Sequence, residues 1–434
     1  MAQLDLYRGD AERVLGGLER QCVHAVVTDP PYGLARGRRP EEILRSWLAR
    51  RRALPSATGG FAAEGWDAEL PGPSVWRAAH RVLGPGAYVA AFGHATTVDL
   101  LAVSMRLGGL DVVDQLVWLH GQGWARPHAG GLNTDDDVAV SLKPAATPIL
   151  LARAPLDDTV DKTYAAHGTG LLHLANTRIG DRNPANALLA HEPACTETCV
   201  PGCPVATLDA QSGRLKARGN VNPTRSGGGG SGVSGPSRSV IADHGPGDWG
   251  GASRFFYCAR ASRSERNAGL AAGGTNEHPS VKPVALMRWL IDLLCPPGGK
   301  VLDPFIGSGT TAVAAAEAGA DCIGIDRDDD GQYLSVAQDR ARHAGSVVRF
   351  HDHPGRSSAG SGEVASDVTQ ELRRAARRLR QAEQRAEALR GERDRLLGQG
   401  RTAGLSWREL AALSGLSSPQ AAERIGRHHL DAAL

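Results

Sequence analysis

An α/β fold, in which a mostly parallel β-sheet is covered on both faces by helices, is predicted by three features of this 434-residue chain. Apolar runs of strand length alternate with helical stretches up to about position 119, and the alternation resumes near position 280. Several strand runs also stop at an aspartate next to proline or glycine. Parallel strands need crossover connections, usually helices, so this alternation implies a sheet with helices on its faces.

In order, Leu4 to Asp10 reads as a strand ending in Gly9-Asp10, and Val14, Leu15 and Leu18 mark a helix. His24 to Val27 is a β-branched strand, which completes a βαβ opening. Trp76 to Leu83 is helical and stopped by Gly84-Pro85-Gly86, after which Ala87 to Phe92 is a strand. Thr97 to Leu107 is a helix, and Gln115 to Leu119 and Ala146 to Leu151 are strands. Arg254 to Cys258 is a further strand, and Val284 to Leu294 is a helix ended by Pro296-Pro297-Gly298-Gly299. Lys300 to Asp303, an alanine-rich helix to Ala318, and Asp321 to Asp326 close the pattern.

A hydrophobic content of 41% supports a sizeable core and two or three domains. Lys plus Arg number 49 against 47 acidic residues, a net charge of +2, so nucleic-acid binding must come from local patches rather than a basic coat. No apolar run reaches the roughly 18 residues of a membrane span, and Met1-Ala2-Gln3-Leu4-Asp5 lacks the pattern of a signal peptide. The expected location is the cytoplasm. Seven cysteines, an odd number, argue against a disulfide framework and agree with a reducing compartment.

Chemistry concentrates at Thr28-Asp29-Pro30-Pro31-Tyr32-Gly33. Proline fixes its own φ and restricts the residue before it, so the strand end becomes a rigid, extended turn. It presents the Asp29 carboxylate, the Pro30 carbonyl and the Tyr32 ring together at a strand end, where ligands of open α/β sheets bind. Two acceptors beside a flat ring suit a planar base with an amino group; a plain turn after a strand is the other reading.

The second concentration is Asp303-Pro304-Phe305-Ile306-Gly307-Ser308-Gly309-Thr310, a strand end, a glycine turn and a helix start. Asp326, ending the next strand, is placed to take ribose hydroxyls. No lysine follows Gly309 as a P-loop requires, and the third glycine of a dinucleotide fingerprint is missing. Asp303 instead offers a carboxylate to a cationic amino acid moiety.

Taken together, the two stretches resemble the D-P-P-Y and cofactor motifs of the permuted, β-type DNA amino-methyltransferases of bacteria and bacteriophages, in which the catalytic motif precedes the cofactor motif. Gly121-Gln122-Gly123-Trp124, Tyr164 with Gly168-Thr169-Gly170, Arg254-Phe255-Phe256-Tyr257 and His278-Pro279-Ser280-Val281-Lys282-Pro283 extend the likeness over residues 4–345. Lys143-Pro144-Ala145-Ala146-Thr147 departs from it, since the family often has His-Glu after Lys-Pro-Ala. The resemblance implies a Rossmann-like methyltransferase sheet with an inserted loop-rich recognition region and a C-terminal all-α extension. It implies S-adenosylmethionine as cofactor, double-stranded DNA as substrate and a restriction nuclease as a candidate partner.

By the same resemblance the catalytic residues are Asp29, Pro30, Pro31 and Tyr32, with Tyr32 stacking on a flipped-out base. The cofactor residues are Asp10 at the adenine end, Asp303 at the ammonium group, Asp326 at the ribose, Phe305 lining the pocket, and the turn Gly307, Ser308, Gly309 and Thr310. An aspartate at the first motif position leans toward adenine N6. Cytosine N4 and a DNA-binding regulator with an inactive domain are the alternatives.

The implied organisation is a catalytic part over 1–119, a target-recognition region over 120–279, a cofactor-binding part over 280–345, a linker over 346–367, a coiled coil over 368–398 and a helix-turn-helix over 403–434. The arginines Arg36, Arg38, Arg39, Arg45, Arg50, Arg51 and Arg52 read as a solvated face or a phosphate track. Leu372, Ala375, Leu379, Ala382, Ala386, Leu389 and Leu396 read as a coiled-coil seam or a single solvated helix. Leu405 to Ser417 reads as a capped helix and a turn, with a second helix from Pro419. A DNA-binding pair there, joined to a coiled coil, would make a homodimer; a protein-docking pair is the alternative. His191, Cys195, Cys199 and Cys203 would suit a closed structural zinc site, but their even spacing would drift around a helix, so no metal is assigned; free cysteines in a turn-rich segment are the other reading.

Overall fold

Along the inner strands of the computed structural model, successive side chains are buried on opposite faces, as expected of an apolar run with helices packed on both sides. The structure describes residues 2–34, 39–49, 65–121, 126–127, 139–216, 249–260, 263–271, 274–328, 331–352, 390, 393–397, 399–414, 418, 420 and 423. The chain divides into two units, Met1–Gly355 and Arg356–Leu434.

The first unit opens with β1 (Gln3–Arg8), α1 (Ala11–Gly17), β2 (Val23–Thr28), α2 (Pro40–Leu48), α3 (Pro73–Val82), β3 (Leu83–Phe92), α4 (Val98–Leu107) and β4 (Asp111–Leu119). There follow the short strands β5 (Arg126–Pro127) and β6 (Ala139–Ser141), then β7 (Ala146–Arg153), α5 (Val160–His167), β8 (Ala187–Ala190), α6 (Pro204–Ser212), and the short β9 (Leu215–Lys216) and β10 (Trp249–Gly250). The remainder is β11 (Tyr257–Ala259), α7 (Arg263–Asn267), α8 (Val284–Leu294), β12 (Lys300–Asp303), α9 (Thr310–Ala318), β13 (Asp321–Asp326), α10 (Gln332–His343) and β14 (Val347–Asp352).

Ten strands form one sheet in the order β11-β8-β4-β7-β3-β2-β12-β13-β1-β14. Strand β7 runs antiparallel to β3 and β4, and the other neighbouring pairs are parallel. The carboxyl ends of every sheet strand except β7 therefore lie along one edge. This is the Rossmann-like, mostly parallel sheet with helices on both faces that was expected. One core gathers Ala25, Val27, Ala90 and Phe92 under α8, α9 and α10; the other gathers Val26, Val89 and Ala91 under α1, α3 and α4. Helix α8 buries Leu286, Met287, Leu290 and Ile291 almost completely, each contributing roughly 1.5–3 kcal/mol of apolar burial.

Some details differ from the sequence reading. Within the 120–279 region assigned to target recognition, β7, β8 and β11 are strands of the main sheet. Strands β8 and β11 are too short to show a period in sequence, and they form only by pairing with longer neighbours. The linker assigned from 346 begins later, since β14 covers the edge of β1 in register from Gln3↔Val347 to Arg8↔Asp352. Arg254–Cys258 is not one strand: residues 252–255 form a 3-10 turn, held where Ser253 donates to Asp209, and the strand is Tyr257–Ala259.

In the second unit α11 (Trp407–Ser414) carries the expected cap. The Ser406 amide donates to Glu409 Oε2 at 2.8 Å and the Glu409 amide to Ser406 Oγ at 3.3 Å, a reciprocal capping box. Leu397, Leu410 and Ala411 pack with Trp407. The coiled coil over 368–398 and the second helix of the helix-turn-helix lie largely outside the described residues, as do Arg36, Arg38, Arg50, Arg51 and Arg52. Among the described residues no helix is long and apolar enough to cross a membrane.

Candidate active site

Strands β2 and β12 are parallel neighbours, with Ala25 opposite Val301 and Val26 opposite Leu302. That register brings together two segments 275 residues apart: buried Thr28 donates from Oγ1 to Asp303 Oδ1 at 2.6 Å. Asp303 Oδ1 also accepts from the Phe305 amide at 3.0 Å, and Oδ2 accepts from Thr311 Oγ1. Only 2% exposed, the carboxyl is pushed up to about 7 by burial, against the pull of these three donors.

The turn after β2 is clamped from two sides. The Tyr32 amide donates to Asp67, in a 3-10 turn at Gly65–Ala68, and Thr97 Oγ1 donates to the Tyr32 carbonyl at 2.8 Å. Gly33, at φ +69°, lies where a Cβ would meet the Leu70 side chain at 2.7 Å. Within the turn, the Tyr32 hydroxyl donates to Asp29 Oδ1 at 2.6 Å and Lys282 Nζ pairs with Asp29 Oδ2. Ser280 Oγ is 3.4 Å from the same oxygen, and Lys282 Nζ is 3.2 Å from the Tyr32 hydroxyl. The ion pair is largely sheltered, its side chains 10% and 16% exposed. Burial, then the negative charge of Asp29, pushes the Tyr32 hydroxyl well above its ordinary range, so it stays a donor.

For Tyr32, expected to stack on a flipped-out base, the structure adds contacts of the ring and of the hydroxyl. Its ring is packed against the core and tilted toward His94, with centroids 6.1 Å apart, while its hydroxyl is engaged on Asp29. It is arranged to orient the carboxylate.

The glycine turn is built as tightly from within. Gly307 and Gly309 have φ of +50° and +84°; a Cβ on the first would meet His278 Nε2 at 2.7 Å, and on the second the Ala337 backbone at 2.7 Å. These glycines admit the packing of α10 and of the 276–280 segment rather than simply exposing backbone. Ser308 is held by Asn276 at 3.0 Å, and Arg340, 1% exposed, donates to the Ser308 carbonyl at 2.8 Å and to Thr310 Oγ1 at 3.1 Å. Burial lowers the Arg340 guanidinium to about 10. His278 is lowered to about 4, chiefly by burial, and is a neutral ring against Gly307.

Asp326 braces the turn from β13, accepting from the Gly307 amide at 2.8 Å and the Asp328 amide at 3.0 Å, and burial raises its carboxyl to about 6. Asp10 is exposed after β1 and caps α1 through the Arg13 amide at 3.1 Å. Four neighbouring strands, β2, β12, β13 and β1, thus end at or just before Asp29, Asp303, Asp326 and Asp10. The structure brings all twelve predicted site residues to these strand ends. Asp303 is buried and accepts from Thr28, Thr311 and the Phe305 amide, so the carboxyl expected at the ammonium group also ties β2, β12 and α9 together. Sequence reasoning missed Lys282, although it lies in a quoted motif with proline after it; Asp67, Thr97 and Arg340 carried no local signal.

Residues 246–338 match the family model described as DNA methylase. The type II methyltransferase M.SmaI of Serratia marcescens is 44% identical over 63 residues, 14% of this chain and 21% of that protein. The type II methyltransferase M2.DpnII of Streptococcus pneumoniae is 42% identical over 64 residues, 15% of this chain and 23% of that protein. Among solved structures, the cytosine-N4-specific PvuII DNA methyltransferase is 12% identical, with 81% of this chain and 95% of that one covered and a TM-score of 0.41. The chain therefore spans less than a quarter of the length of either curated relative. The segment that matches the family model holds Lys282, the glycine turn and Asp326.

Proposed function

We propose that the protein transfers a methyl group from S-adenosylmethionine to the exocyclic amino group of adenine, at N6, in a base flipped out of double-stranded DNA. The observation that carries this reading is the joining of Asp29 to the glycine turn through the Thr28–Asp303 bond, which sets base chemistry and cofactor chemistry at one edge. Asp29, Asp326 and Asp10 along neighbouring strand ends would repel the phosphates of a dinucleotide or nucleoside triphosphate and suit a phosphate-free, cationic cofactor. When bound, S-adenosylmethionine supplies an electrophilic methyl carbon on a sulfonium. Asp326, Asp10 and Phe305 would hold its nucleoside, and the turn over Gly307 to Thr310 its amino acid end.

The residues of the chain do the rest. An exocyclic amine is a weak nucleophile because its lone pair is delocalised into the ring. Asp29 and the Pro30 carbonyl accept its two hydrogens and localise that pair, and the clamps at Asp67 and Thr97 hold the acceptors fixed. Lys282 pairs with Asp29 until the base arrives; the amino group then displaces the Lys282 or Tyr32 contact. Methylation of the amino group would leave an extra proton on its nitrogen, and Asp29 is placed to take it along the hydrogen bond. Aspartate in place of serine at the first motif position supports adenine over cytosine. Sequencing DNA from a host expressing the chain, with modified bases resolved, is expected to show N6-methyladenine in one sequence context and none with Asp29→Ala. N4-methylcytosine alone would overturn the choice of base, and an unmodified genome the activity.

A further inference from the structure

The 191–203 segment leaves β8 at the same edge of the sheet as Asp29, since β8 is parallel to β4 and both run with β3 and β2. Its sequence, His-Glu-Pro-Ala-Cys-Thr-Glu-Thr-Cys-Val-Pro-Gly-Cys, has almost nothing apolar to bury and forms no helix or strand, yet the chain folds there into a compact knot. Turns close where the Cys195 amide donates to the Glu192 carbonyl at 2.9 Å and the Cys203 amide to the Val200 carbonyl at 3.1 Å. Gly202 reverses the chain at φ +82°. The ligand atoms of His191, Cys195, Cys199 and Cys203 all lie within 4.8 Å of one another.

We propose that these four side chains bind one zinc ion in a closed, structural site. A zinc ion at about 2.3 Å from sulfur and about 2.0–2.1 Å from nitrogen, in tetrahedral geometry, sets sulfur–nitrogen edges of about 3.5 Å and sulfur–sulfur edges of about 3.8 Å. His191 Nδ1 is 3.4 Å from Cys199 Sγ and 3.5 Å from Cys203 Sγ. Three thiolates and an imidazole select a soft or borderline cation, and four protein ligands leave no open position for catalysis. A two-iron cluster would spread its ligands wider than this group allows.

The surroundings fit that role. The Val200 amide lies 3.4 Å from Cys195 Sγ, the backbone donation that steadies a metal-bound thiolate. The His191 amide donates to the Ala259 carbonyl of β11 at 2.9 Å, fixing the first ligand to the sheet. Cys203, fully buried, caps α6 and packs with Leu189 and Val205. Cys258 shares that cluster but lies outside the ligand group, its thiol directed to the Ser253 and Phe256 carbonyls at 3.7 and 3.5 Å. The even spacing that argued against a metal presumes a helix. Because the segment is a series of turns, three-residue intervals converge instead of drifting around an axis. The ion supplies the folding free energy this segment lacks and holds α6 at the carboxyl edge of the sheet.

The proposal is independent of the methyl-transfer reading, since metal content is read whether or not DNA is modified. The full-length chain, expressed in zinc-supplemented medium and purified without chelator, is expected to carry one zinc per chain by plasma mass spectrometry. Zinc should fall about tenfold or more in the double variant Cys199→Ser/Cys203→Ser and stay unchanged in Cys258→Ser. In the unaltered protein, which removes any question of misfolding, Cys195, Cys199 and Cys203 should resist alkylation until a strong chelator is added. Cobalt substitution should give the intense visible bands of a tetrahedral thiolate site. A metal-free protein, iron in place of zinc, a disulfide among the three cysteines, or alkylation indifferent to chelator would each overturn it.

Discussion

The two halves of the ten-stranded sheet solve the problem of holding functional loops in different ways. In the half formed by β2, β12, β13 and β1, the strand ends are locked by buried side-chain hydrogen bonds such as Thr28 to Asp303 and Gly307 to Asp326. In the half formed by β4, β8 and β11, the last two strands are short and the loop beyond β8 holds itself by turns and by the His191, Cys195, Cys199 and Cys203 knot. Precise acid positions need a stiff scaffold, which buried polar networks supply when every member is satisfied. A surface excursion with little apolar content needs a local cross-link.

That contrast is most sharply broken or upheld at Asp29. Asp29→Ala should lower methyl transfer by about a thousandfold or more, measured with labelled cofactor, because it removes a fixed acceptor at the developing charge. Its zinc content should not change. Asp303→Ala should act on the scaffold, costing on the order of 3 kcal/mol in denaturant midpoint experiments by stranding the donors of Thr28, Phe305 and Thr311. Cys203→Ser should leave that global midpoint within about 1 kcal/mol while protease cleavage within 191–203 accelerates. Equal global losses from the two substitutions would erase the distinction.

How much of this was legible beforehand follows the same division. Asp29-Pro30-Pro31-Tyr32 and Asp303 to Thr310 announce themselves because proline and glycine punctuate strand ends directly after an acid. The sealing of Asp303 was not legible, since it depends on Thr28 and Thr311 arriving from other elements. Neither was Arg340, a single arginine among several in α10, buried only because Ser308 and Thr310 present oxygens to it. Strands β8 and β11 left no periodic signal, and the metal-ligand geometry was hidden by reading a turn-rich segment on a helical wheel.

A smaller effect is expected from pH. The folded Asp303 carboxyl titrates at about 7, above its ordinary value of 3.8, so its contribution to stability is full below about pH 4 and is lost as pH rises through about 7. Asp326, raised to about 6, acts in the same direction. Asp303→Asn should flatten the decline of thermal midpoint between about pH 4 and 7; an unchanged slope would show that the buried carboxyl is not its source. Smallest of all, Ser406→Ala in the second unit should cost about 1 kcal/mol of that unit's stability through its capping box and leave methyl transfer unaffected.

Hydrogen exchange with and without S-adenosylmethionine tests most directly whether the acidic strand ends form one cleft. Slowed exchange is predicted together at residues 28–34, 303–311 and 326–328, with none at 187–216. Protection confined to the 187–259 half, or absent from residues 28–34 in a protein that still methylates DNA, would contradict the account.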